Sequence, residues 1–190
     1  MSTYPHMVNV AWDTVTAFLC DWQREPYRWS KEIDVQVAIT SRLSQALRAM
    51  GRDTVVANYR SAIEGFHGNQ RWSRVCCEPL VRYRFSDGKD YKCYPDIVML
   101  GDAKNPDRPP EEDRGNFPIL WACEIKYQGG RRPTWDQDKL RFLVKQGAIR
   151  FGCWVCMDPS RASAGNGVKW QRDIEDGHVW ICNAQLPACG

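Results

Sequence analysis

Residues 119 to 130 read ILWACEIKYQGG, a stretch apolar enough for a buried strand that nonetheless carries an acid and a base, Glu124 and Lys126, one residue apart. Alternate residues of a strand share a face, so Leu120, Ala122, Glu124 and Lys126 point one way and Trp121, Cys123, Ile125 and Tyr127 the other. A second apolar run, CYPDIVML, places Asp96 on the face of Val98 and Leu100. Charges left unpaired inside a domain cost several kcal/mol each, so these three groups need compensation. A salt bridge of Lys126 with Asp96 or Glu124 is the simplest form of it, yet two acids then face one base. A divalent cation held by Asp96 and Glu124, a backbone carbonyl and waters offsets the surplus, because magnesium binds through few carboxylates and keeps much of its water. Lys126 then lies beside the metal. Such a set suits phosphodiester hydrolysis: the metal activates water and shields the phosphate, while the ammonium holds or deprotonates the nucleophile and stabilises the pentavalent state.

Helices and strands have to bring these residues together. Val8, Trp12, Val15, Leu19 and Trp22 recur at spacings of four and three, which predicts an amphipathic helix over residues 7 to 23, closed by Pro26. A second helix is predicted from Ser30 to Met50, with Val35, Ile39, Leu43, Ala46 and Leu47 on one face and Gly51 as its stop. Residues 53 to 66 fit either a helix or the β-prone TVVANY. Val81, Tyr83 and Phe85 then alternate with Arg82 and Arg84, and SDGK supplies a turn before CYPDIVML, so a hairpin is expected. A polar, proline-rich loop, KNPDRPPEEDRG, precedes the strand PILWACEIKY. Thr134 and Gln137 have the spacing of a capping box for a following helix, with Pro133 just outside it and Gly147 at its end. IRFGCWVCM is the next strand, and VKWQRD and HVWICNA form a terminal hairpin.

The order is therefore helix, three strands, helix, strand. The central strands are apolar on both faces, as expected of a sheet covered by helices on both sides. We read an α/β fold with a mixed central sheet in a single domain of residues 1 to 190: a core over about 30 to 158, an N-terminal helix within 1 to 29, and a C-terminal hairpin within 167 to 185. At this length a real core forms without staples.

The formal net charge of +3 does not by itself announce a nucleic-acid binder. The start, MSTYPHMVNVAWDTV, lacks a basic segment followed by an apolar run. No stretch approaches the roughly 18 apolar residues of a membrane span, and a soluble, cytoplasmic protein is expected. Nine cysteines cannot all pair with one another, so reduced, mostly buried thiols are the default. Cys153 and Cys156 form a C-x-x-C, but in a strand positions three apart face opposite ways. His6, His67 and His178 are scattered, and neither a Ser/His/Asp spacing nor a phosphate-cradling G-x-x-x-x-G-K occurs.

Pro95-Asp96 followed by Glu124-Ile125-Lys126, within a helix, three strands, helix, strand order, resembles the PD-(D/E)xK nuclease superfamily with its restriction-endonuclease-like αβββαβ core; the resemblance covers roughly Ser30 to Asp158. It implies that Asp96 and Glu124 bind magnesium, or manganese in its place, with the Ile125 carbonyl as the backbone ligand, and that Lys126 contacts the attacking water. A glutamate from the first core helix often joins such sites. Glu32 fits that place, since residues 32, 35, 36 and 39 lie along one helical face; an ordinary first-turn acid favoured by the helix dipole is the alternative. Lys139 and Gln146 share the face of Phe142 and Leu143, from which helices in this position of the family often reach the scissile phosphate; a snorkelling lysine is the alternative. Arg131 and Arg132 follow the active strand directly and could meet nucleic-acid backbone. Arg71, Arg74, Arg82 and Arg84, interleaved with Trp72 and Tyr83, could extend that surface. Glu78 reads as structural rather than as an accessory acid.

The function expected is that of a metal-dependent nuclease, endo- or exonucleolytic, acting on DNA ahead of RNA, as a homodimer or with a targeting partner protein. The alternative is a non-cleaving nucleic-acid-binding or regulatory module on the same fold. A zinc-stabilised protein built on Cys76, Cys77, Cys93, Cys153 and Cys156 is a third reading.

Overall fold

The computed structural model describes residues 4–60, 67–79, 81–84, 90–102, 118–127, 133–163, 168–173 and 178–187. In chain order the elements are α1 (Tyr4–Arg24), α2 (Glu32–Ala49), β1 (Thr54–Arg60), β2 (His67–Ser73), β3 (Val75–Cys77), β4 (Val81–Arg84), β5 (Asp90–Cys93), β6 (Ile97–Leu100), β7 (Ile119–Tyr127), α3 (Pro133–Lys145), β8 (Ile149–Ser163), β9 (Val168–Arg172) and β10 (Val179–Pro187).

Helix α1 buries Val8, Ala11, Val15, Phe18 and Trp22, the three- and four-residue spacing of one helical stripe. Helix α2 begins where the Asp34 carboxylate reaches back one turn and accepts hydrogen bonds from the Ser30 amide (3.0 Å), the Ser30 hydroxyl (2.9 Å) and the Lys31 amide (3.1 Å). It stops at Gly51, whose φ of +66° is the left-handed conformation that lets the Arg52 amide turn back onto the Leu47 carbonyl at 2.8 Å. Helix α3 ends in the same way at Gly147. It opens at Pro133, so Thr134 lies inside the first turn rather than capping it; proline's set φ and missing amide suit that position.

Six strands form one mixed sheet in the order β3-β6-β7-β8-β10-β9. β7 pairs antiparallel with β6 and parallel with β8, β10 lies parallel to β8, and β9 is antiparallel to β10. α1 and α2 cover one face over Trp121, Cys123, Ile125, Cys153 and Val155. α3 covers the other, where Leu140 and Leu143 meet Ala122, Trp154 and Val179. The approach of α3 is close: a Cβ added at Gly152 of β8 would stand 3.2 Å from Leu140. No described helix is long and apolar enough to cross a membrane.

Several expectations change. Residues 54 to 60 form a strand, β1, paired with β2; the β-branched and aromatic side chains prevail over the helical spacing. The hairpin after Val81 forms, but as a separate two-stranded sheet of β4 and β5. CYPDIVML is broken at Tyr94–Asp96, where Pro95 has no amide to continue a ladder. The strand beside β6 in the main sheet is instead β3, three residues long, and the order α2, β3, β6, β7, α3, β8 runs through the core. The terminal hairpin is not an appendage, since β10 extends the sheet along β8. Along β7 the pairing with β6 shifts between Met99 and Leu100, a bulge that turns Leu120 to the same face as Trp121 instead of the face of Glu124.

Candidate active site

Asp96 immediately precedes β6. The β6–β7 register pairs Ile97 with Cys123, and one further step sets Asp96 opposite Glu124. Like charges directly opposite on an antiparallel pair repel, so both carboxylates need help. Asp96 is pinned from three sides. The Ile125 amide donates to its Oδ2 at 2.6 Å. Its carbonyl accepts the Glu78 amide at 3.0 Å and the Gln36 side-chain amide from α2. Glu78 adopts a φ of 45°, an unusual left-handed turn for a non-glycine residue, and enters through its backbone; its side chain is exposed.

Glu124 is only 2% exposed. The Lys139 ammonium of α3 stands 2.6 Å from its Oε1 as a charge-assisted ion pair. Lys126 leans away from its strand neighbour Glu124: its Nζ lies 3.4 Å from Glu32 Oε1 on α2 and 3.4 Å from Asp136 Oδ2 on α3. Asp136 also stands 3.8 Å from Lys139. The charges therefore run Glu32, Lys126, Asp136, Lys139, Glu124, alternating in sign across three elements, with Asp96 beside them. Four carboxylates meet two ammonium groups, a formal surplus of two negative charges.

Burial shapes the protonation. It raises Asp96 above the usual carboxylate range, against the Ile125 hydrogen bond. Burial first, and then the facing Asp96, push Glu124 up to about 8, with Lys139 pulling it down. For Lys126 burial is the largest single influence and acts downward, but Glu32, Asp136, Asp96 and Glu124 together outweigh it and leave the ammonium raised.

Of the residues predicted from sequence, Asp96, Glu124, Lys126, Glu32 and Lys139 are gathered here; Ile125 contributes its amide to Asp96. Gln146 is not. It is exposed beyond the C-terminal end of α3, seven residues past Lys139 and so about 10 Å further along the helix axis. Arg74 is no surface group: it is 2% exposed and donates to the carbonyls of Arg52, Thr54 and Leu100 and to Asp102. Arg82 and Arg84 sit on β4, outside the main sheet. Arg131 and Arg132 lie outside the described residues. Asp136 and Gln36 are site residues that sequence reasoning did not assign. Gln36 was detectable as a polar residue within the apolar stripe of α2, and Asp136 as an acid three residues before Lys139, on its face.

No three His, Cys, Asp or Glu side chains among the described residues stand together as a preformed metal cage. The zinc reading loses its base, since Cys153 faces α1 and α2 whereas Cys156 packs with the α3 layer. Burial also raises the thiols of Cys76, Cys153 and Cys123, Cys93 to about 11 and Cys182 to about 12. Asp96 and Glu124 offer a two-carboxylate site instead. Their two carboxylates and the formal surplus of two negative charges fit a hard divalent cation that keeps several waters. No family model, curated protein or solved structure matches the chain.

Proposed function

We propose that the chain is a metal-dependent nuclease on a restriction-endonuclease-like core, hydrolysing phosphodiester bonds of DNA ahead of RNA. The observation that carries this reading is Asp96 opposite Glu124 on adjacent strands, with Lys126 on the Glu124 face one step nearer the strand end. The order α2, β3, β6, β7, α3, β8 supports this reading, with β3 in the place expected of the Val81 strand. Exposed aromatic rings at Tyr94, two residues before Asp96, and at Trp135, next to Asp136, offer stacking surfaces for bases.

Asp96 and Glu124, with the Ile125 carbonyl, would hold magnesium or manganese, which supplies activation of water and shielding of phosphate charge when bound. Lys126 stays charged among its carboxylate partners. Its part is to orient the nucleophile and steady the negative charge that grows on the phosphate, not to accept a proton. Glu32 and Asp136 hold its ammonium in place from two helices. The 2.6 Å contact of Lys139 with Glu124 favours a second reading, a non-cleaving nucleic-acid-binding module acting with a partner, because the carboxylate is then neutralised without metal.

One experiment separates the two. Supercoiled and linear duplex DNA, single-stranded and branched DNA, and RNA are incubated with magnesium, manganese or chelator, using wild type and Lys126→Ala. Cleavage that requires both metal and Lys126 is the expected result. Binding without cleavage on every substrate, by a folded protein, would favour the binding module.

A further inference from the structure

Resting on that reading, we infer that Lys139 is a built-in stand-in for the metal: its ammonium neutralises Glu124 whenever that carboxylate is ionised in the metal-free protein and must leave it when a divalent cation binds. Three observations point to this. Glu124 is nearly fully buried, so its charge cannot be left to solvent. The one cation paired with it among the described residues is Lys139, at 2.6 Å, a contact shorter than the 3.4 Å pairs that Lys126 makes. Finally, Asp136 lies one helical turn earlier with its Oδ1 3.8 Å from the same ammonium, an anionic partner already within reach.

The two cations cannot share one carboxylate oxygen. A metal on Glu124 and an ammonium within 3 Å of it would repel strongly where burial weakens screening. A rotation of the long, unbranched lysine side chain toward Asp136 removes the conflict without moving the backbone. Lys139 is thus a positioning residue for the metal-free state and a competitor of the metal, whereas Lys126, held by Glu32 and Asp136, keeps its place in both states. The arrangement keeps the two carboxylates folded next to each other before any metal arrives, at the expense of metal affinity.

The test compares wild type with Lys139→Met, which keeps the apolar stem and removes the charge, and with Lys139→Gln, which keeps a donor. Magnesium binding is measured by titration calorimetry, and thermal unfolding is followed in chelator and in saturating magnesium. Both variants are expected to melt below wild type in chelator, to rise more than wild type on adding magnesium, and to bind it at least ten-fold more tightly. Should Lys139→Met unfold in chelator, Lys139→Gln carries the comparison. Equal or weaker magnesium binding in a folded variant would overturn the inference while leaving the metal reading intact. If wild type and both variants alike fail to bind magnesium or manganese, the metal reading falls and the inference with it. The combination of Glu124→Gln with Lys139→Met should fold and show no magnesium-dependent rise; a rise that persists there would place the metal elsewhere and also overturn it.

Discussion

Lys126 has two carboxylate partners, and they come from different helices, which makes its position separable from its charge. Replacing Asp136 by Asn keeps the shape and removes one of the two anions at 3.4 Å. Misplacement of a reacting group by about 1 Å can cost up to roughly 100-fold in rate, and a fall in single-turnover cleavage of about 10- to 100-fold with unchanged substrate binding is expected for Asp136→Asn. A loss confined to binding would assign Asp136 to the substrate instead. Glu124 supplies a second expectation, in chelator. Its folded value, raised by burial and Asp96 to about 8, lies above the ordinary 4.5, so the folded state binds the proton more tightly than the unfolded one. Stability then falls as pH rises through that window and is highest at its acid end. Metal-free wild type should melt progressively lower between pH 5 and pH 8, and Glu124→Gln should flatten the curve. A wild-type melting point that does not fall over that range would mean that Lys139 keeps Glu124 ionised throughout.

At the scale of elements, two close fits hold the site's frame. Arg74 ties the end of α2's connection, β1 and β6 together through carbonyls of Arg52, Thr54 and Leu100. Arg74→Ala leaves those carbonyls without their buried donor, and with a penalty of roughly 1–3 kcal/mol for each group left unsatisfied a loss of about 3 kcal/mol or more is expected in denaturant unfolding. Gly152 lets α3 lie against β8, and a Cβ there would meet Leu140 at 3.2 Å and Val179 at 3.3 Å. Gly152→Val should therefore cost about 1–3 kcal/mol through overpacking and weaken the Lys139–Glu124 pair, because α3 carries Lys139; an unchanged midpoint would show that the helix yields freely. Much of this level was legible beforehand. The stripes of α1 and α2 and the glycine stops at Gly51 and Gly147 follow from local periodicity and backbone preference. β3 was not legible: three residues are too few to display a period, and the strand exists through its pairing with β6.

For the whole molecule, metal binding should register as stability. A ligand that binds the folded state at 100 times its dissociation constant adds about 2.7 kcal/mol. For a chain of 190 residues that is a rise of roughly 5 to 10 °C in melting temperature, at about 2 to 4 °C per kcal/mol. Glu124→Gln should remove most of it, and an unaltered rise in that variant would locate the metal at another site. The sequence alone determined Asp96, Glu124 and Lys126 as charges too costly to bury without a purpose, because strand alternation and apolar flanks are local properties of the chain. It also identified Glu32 and Lys139 as candidates on helical faces. Which charge answers which was decided only by the tertiary structure: Lys126 turns to Glu32 and Asp136 rather than to its own strand, and Lys139 takes Glu124. Pairing across α2, β7 and α3 depends on how those elements dock, and docking is set by the whole core, by the bulge that turns Leu120 and by the glycine that admits α3, none of which a local pattern contains.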